Sequence, residues 1–204
     1  MLGTWVRVGR IAAFVAAASW FLSGLVYFAL VYQTFGPGEP GSTSVVLIET
    51  FHALAEVAML FALVGVRDLD RSKLGPLAAF AFPVAYFGLA ALALITAAVL
   101  IALESVGETI VSAVFGVGLI ATFLGMILVA ASVWRARVLP RWGAILLGLQ
   151  PVFIFIVFLM SSYGFGALAI ALAWVLVGFA FGARKSAPAP SPATPSRPPR
   201  NNSL

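Results

Sequence analysis

Apolar positions gather into six long runs, at 11–32, 45–66, 76–103, 110–134, 143–160 and 163–182, and only the second of these contains charged residues. A helix that crosses about 30 Å of hydrocarbon needs roughly 20 apolar residues. The runs meet or approach that length, so the pattern predicts six transmembrane helices. The third run is long enough that its helix must tilt, kink or protrude. The fifth and sixth are short and are joined by Ser161, Ser162, Tyr163 and Gly164, which read as a tight turn. The fold class that follows is all-α, a polytopic transmembrane bundle of six helices. Residues 1–10 form a cytoplasmic N-terminus, 11–185 the membrane domain and 186–204 a disordered, Pro-rich C-terminal tail.

Basic residues then orient the bundle. Arg7 and Arg10 precede the first run, and Arg67, Arg71 and Lys73 separate the second from the third. Arg135, Arg137 and Arg141 separate the fourth from the fifth, and Arg184, Lys185, Arg197 and Arg200 follow the sixth. These are all 12 of the Lys and Arg residues, and every one falls on the same side. The intervening loops carry Glu39, Glu104 and Glu108 but no cation. Cytoplasmic loops are the ones enriched in Lys and Arg, so both termini are expected in the cytoplasm. Trp134, Trp142, Tyr32 and Tyr163 stand at run ends, the ordinary place for aromatic side chains at the membrane interface.

Composition agrees with this layout. The chain has 204 residues, 62% hydrophobic and 9% charged, against about 45–50% and about 25% in ordinary soluble domains. Lipid is the solvent that resolves the imbalance. With no cysteine and a single histidine, disulfides, thiolate chemistry and bis-histidine haem ligation within one chain are excluded. No catalytic residue, cofactor or nucleic-acid partner is read from the chain. The lipid bilayer is the expected partner, and a homo-oligomer or a membrane-protein partner stays open. Arg7 and Arg10 before an apolar run also suggest a signal peptide, but 11–32 exceeds a usual signal core and no cleavage site follows, so it reads as a retained helix. The loop from Gln33 to Ser44 is rich in Gly and Pro and reads as irregular. The tail holds six of the 12 prolines and no aromatic residue, so it cannot build a core.

A shift of 68 residues places Arg67 on Arg135, Lys73 on Arg141, Gly75 on Gly143, Pro83 on Pro151, Val84 on Val152 and Phe87 on Phe155. This is the pattern of a parallel repeat, although basic inner loops and a narrow residue alphabet also produce such matches by chance. Each proline removes a helical hydrogen bond and frees the carbonyl four residues earlier, at Ala79 and at Leu147. Within lipid such groups need partners inside the bundle. Tyr86 and Gln150 are the nearby polar side chains; simple packing kinks are the plainer reading.

The second run carries the candidate chemistry. Glu49, His52 and Glu56 follow i, i+3, i+7 spacing, which keeps them within about 60° on one helix face. Glu56 falls near the bilayer midplane, about 10 Å deeper than Glu49 at 1.5 Å per residue. A charge at a helix centre costs about 2.5–3.5 kcal/mol on insertion scales. No basic residue lies at that depth, so Glu56 is expected inside the bundle, most simply as the neutral acid bonded to Tyr86, Gln150 or a freed carbonyl. Three readings follow. Glu56 could take up and release a proton in a transport cycle, with His52 and Glu49 leading outward. Glu49, His52 and Glu104 or Glu108 could ligate a metal, although the carboxylate di-iron pattern needs two histidines and would require a dimer. Or the stripe could simply hold helices together by hydrogen bonds. Gly178-x-x-x-Gly182 and Ala12-x-x-x-Ala16 permit close helix contact.

The segment from Trp134 to Leu149, WRARVLPRWGAILLGL, resembles the DUF4386-like multi-pass membrane proteins of bacteria, whose length and hydrophobic layout agree over most of the chain. The resemblance implies a bacterial cytoplasmic-membrane protein and no established activity, so no functional residue is carried over. Ten Arg against two Lys fits a high-GC genome. The expectation is a small-solute or proton-linked transporter or a subunit of one, with a membrane scaffold as the alternative and a membrane metalloenzyme as the third.

Overall fold

The computed structural model describes residues 3–33, 43–101, 108–159 and 163–183. They form α1 (Thr4–Gln33), α2 (Thr43–Leu69), α3 (Pro76–Ile101), α4 (Glu108–Ala136), α5 (Arg141–Leu159) and α6 (Tyr163–Ala183), with no strand among the described residues. Most of the loop with Glu39, the residue Glu104, the Ser161–Ser162 junction and the Pro-rich segment 186–204 lie outside the described residues, as do the side chains of Tyr32, Glu108 and Tyr163. Among the described residues, five helices are long and apolar enough to cross a membrane, whereas the apolar part of α5, Arg141–Phe155, is shorter. α1 begins seven residues before the apolar run does. Its first turns carry Arg7 and Arg10 on exposed positions, so the helix continues past the hydrophobic length.

The helices close into a ring. Each packs against its neighbours in chain order, and α6 returns to α1. Unlike a water-soluble bundle, the ring is apolar on its outside as well as in its core. Phe80, Phe87, Leu94, Phe165 and Leu172 lie on the outside, all more than half exposed, while Ser23, Thr122 and Gln150 are fully buried. An apolar exterior of this extent fits lipid and not water. The chain therefore has the build of an integral membrane protein.

Small residues set how closely the helices approach. A Cβ added to Gly9 would sit 2.4 Å from the Cα of Gly65, so α1 and α2 meet backbone to backbone. A Cβ on Gly88 would sit 2.3 Å from the backbone nitrogen of Thr122, which brings α3 equally close to α4. The Gly178 and Gly182 pair of α6 faces Phe14 and Arg10 of α1, and Ala12 and Ala16 are buried.

The connectors have local causes. Pro76 occupies the first position of α3, where its missing N–H costs nothing, and the Gly75 carbonyl accepts from the Ala78 N–H at 3.0 Å. Asp70 accepts from the Ser72 hydroxyl at 2.9 Å and pairs with Lys73 at 2.8 Å. α4 ends in a Schellman turn: Val138 N–H donates to Val133 and Arg137 N–H to Trp134, each at 3.2 Å. Arg137 takes the left-handed position with φ 52°, which glycine usually fills. The Arg141 guanidinium lies 5.7 Å above the Trp134 ring across this turn.

Pro83 and Pro151 both lie inside continuous helices. Ala79, whose carbonyl Pro83 frees, lines a cavity of about 180 Å³ together with Arg67, Arg71, Leu74, Gly75 and Ala78. The shift of 68 carries Thr43–Leu69 onto 111–137, close to α4, but the connectors differ, with residues 70–75 in one hairpin and 137–140 in the other.

Candidate functional site

α2 turns its polar stripe inward. His52, Ala55, Glu56, Met59, Ala62 and Leu63 are buried, whereas Leu54, Val57 and Phe61 are exposed on the opposite face. The helical period alone separates these two faces. Glu49 lies nearer the helix start, and its side chain is about one-third exposed at 32%, against 8% for His52.

Neighbouring helices then meet the imidazole and the deeper acid. The Ser23 hydroxyl of α1 lies 2.9 Å from His52 Nε2. On the other side of the ring, Nδ1 is 3.7 Å from the Glu49 carboxylate. Trp20, one turn before Ser23, stacks a tilted ring 4.9 Å from the imidazole and donates its indole N–H to the Met59 sulfur at 3.5 Å. From α3, the Thr96 hydroxyl donates to Glu56 Oε2 at 3.3 Å. Two helices, α1 and α3, thus converge on one face of α2.

These side chains border a cavity of about 250 Å³. Its polar wall is Glu49, His52, Glu56, Thr96 and Thr122, with Trp20 beside them. Met59, Leu89, Leu92, Phe115, Leu119, Ile154 and Ile170 complete it, so every helix of the ring contributes. Thr122 is fully buried, and its hydroxyl has no hydrogen-bond partner among the described residues.

The order Ser23, His52, Glu49 has the connectivity of a hydrolase relay. Ser23 is fully buried, however, and does not line the cavity, so no substrate there reaches its oxygen. The relay instead fixes the imidazole between α1 and the outer acid. What the cavity offers chemically is a buried carboxyl, a second carboxyl closer to its exposed end and an imidazole between them.

No protein-family model matches the chain, and no curated protein and no solved structure matches it either.

The sequence suggests a midplane layer of Glu56, Tyr86 and Gln150 with His52 and Glu49 above it, and of these five the structure brings Glu49, His52 and Glu56 together on the cavity wall. It does not place Tyr86 or Gln150 there, and the partner of Glu56 is Thr96 rather than either of them. The reason is depth. Tyr86 lies ten residues before Thr96 on α3, about 15 Å along the helix, where its electrostatic neighbour is Arg67. Gln150 is fully buried, and neither its amide oxygen nor its nitrogen has a partner among the described residues. Of the metal candidates, Glu49 and His52 are adjacent, Glu104 lies outside the described residues and the Glu108 side chain does too. Among the described residues no three His, Asp or Glu side chains gather as metal ligands would.

Sequence reasoning missed Trp20, Ser23, Thr96 and Thr122. Ser and Thr are frequent in membrane helices as hydrogen-bond partners. Nothing in their spacing marks these four; only the ring order brings Trp20, Ser23 and Thr96 to α2's polar face, with Thr122 on α4 packed against α3.

Proposed function

We propose that this chain is a six-span protein of the bacterial cytoplasmic membrane, with both termini inside, and that its cavity carries a small solute whose movement is coupled to a proton on Glu56. The observation that carries the reading is a buried acid on the wall of a cavity within an apolar-faced bundle. Ionisable residues inside membrane segments are costly and mark substrate or proton pathways. Glu49, partly exposed, and His52, between the two acids, supply a route from Glu56 toward the outer end of α2. The one-sided distribution of Lys and Arg supports the orientation. The likeness of Trp134 to Leu149 to the DUF4386-like proteins accords with a membrane bundle and brings no activity with it.

A scaffold reading draws on a different observation, the hydrogen bonds from Ser23 and Thr96 that tie α1 and α3 to α2. The two readings separate on Glu56→Gln, which keeps the shape of the side chain and loses the titrating group. Purified protein is reconstituted in vesicles with an internal pH dye, and small cationic, neutral and anionic solutes are added in turn. Transport requires solute-driven proton movement in the native protein that Glu56→Gln abolishes while folding is retained. Equal traces from the two proteins with every solute would leave the scaffold reading.

A further inference from the structure

We propose that the cavity binds a small lipophilic organic cation, an ammonium group on an apolar body, with its charged head at Glu56. This rests on the transport reading above and names the class of solute.

Charge decides first. Among the described residues, the ionisable groups on the cavity wall are Glu49, His52 and Glu56, and neither lysine nor arginine lines it. An anion brought inside would meet two acids and no counter-charge, at a depth where unpaired charge is expensive. A cation finds its partner there.

Size decides next. At about 250 Å³ the cavity is below the range of about 300–1,000 Å³ that holds drug-sized ligands. A lone metal ion, in turn, is too small to use both acids. Glu49 and Glu56 are seven residues apart on α2, about 10 Å along its axis, whereas metal–oxygen bonds run about 2.0–2.6 Å. The rest of the wall suits an organic body: Trp20 and Phe115 are aromatic, and Leu89 and Leu92 add apolar surface.

Binding is an exchange that leaves the cavity's charge unchanged. The cation enters past the partly exposed Glu49, the Glu56 carboxyl gives its proton to water, and the carboxylate pairs with the ammonium. The titratable groups facing Glu56 are Glu49 and His52, both on α2. The other five helices present Trp20, Thr96, Thr122, Ile154 and Ile170 to the cavity, none of which titrates.

The test uses the full chain in lipid nanodiscs with three compounds of similar size. Benzyltrimethylammonium carries a fixed positive charge and no proton, neopentylbenzene is its neutral all-carbon isostere, and benzenesulfonate is an anion. Calorimetry is expected to give saturable binding of the ammonium, at least tenfold weaker binding of the other two, and proton release into a weakly buffered medium. Glu56→Gln should bind the ammonium at least tenfold more weakly and release no proton. The comparison among compounds needs no variant, so it stands even if Glu56→Gln misfolds. Cation-selective binding without coupled transport in vesicles would remove the transport reading and leave the cation site. Proton movement that depends on Glu56 but is driven by the neutral or anionic compound would do the reverse. Equal binding of all three compounds, or native affinity in Glu56→Gln, overturns the proposal.

Discussion

The Ser23 hydroxyl and His52 Nε2 lie 2.9 Å apart, joining α1 to α2 inside the bundle. Both residues are buried, Ser23 fully and His52 nearly so, so no bulk water competes for either. Inter-helix hydrogen bonds of this kind in membrane proteins contribute about 0.6 kcal/mol on average and up to about 1.7. A double-mutant cycle of Ser23→Ala and His52→Ala, read by unfolding in lipid, should give a coupling within that range. A coupling near zero would mean that the two groups do not interact in the folded protein.

Gly9 and Gly65 make a second prediction about the same pair of helices. A side chain on Gly9 has backbone, not a movable side chain, in its way. Overpacking costs typically about 1–3 kcal/mol, so Gly9→Leu should lower the unfolding midpoint clearly. Gly116 is the control, since an added Cβ there meets nothing within 4 Å. Gly116→Ala should be neutral, or stabilising by up to about 1 kcal/mol through the lower helix cost of alanine.

At the end of α4, Arg137 holds φ 52° in the Schellman turn. The left-handed conformation costs an ordinary residue roughly 1 kcal/mol, and a β-branched one more. Arg137→Gly should match or exceed native stability, and Arg137→Val should fall below it. Thermal unfolding of the two variants side by side checks the order.

Gln150 buries an amide with no partner among the described residues and lies off the cavity wall. Leaving such a group unsatisfied costs about 1–3 kcal/mol. Gln150→Leu should therefore raise stability and leave cation binding at native affinity. A loss of stability would show that the amide is satisfied in the membrane.

Much of the fold was legible in the hydrophobic runs, and for a physical reason: without water, a membrane segment must close its own hydrogen bonds as a helix. The run 76–103 became Pro76–Ile101, and 163–182 became Tyr163–Ala183. Ends drifted where polar residues extend a helix beyond its apolar length, as Thr4 to Arg10 do for α1. The stripe of Glu49, His52 and Glu56 was equally legible, because one helix's periodicity sets its face. Its surroundings were not. Tyr86 and Gln150 were read as partners of Glu56 and Thr96 was missed, because sequence distance does not fix relative depth between helices. Gly9 and Gly65 carried no motif, since the contact needs one glycine from each of two helices.

The central claim is that Glu56 gains and loses a proton inside the bundle, and infrared difference spectroscopy tests it most directly. Spectra of the native protein in lipid are recorded across a pH series and compared with those of Glu56→Gln. The carboxyl C=O stretch belongs only to the protonated acid, and the other acids contribute equally to both proteins, so the native-minus-Glu56→Gln difference should contain one such band that comes and goes with pH. No carboxyl band in that difference at any pH would contradict the account.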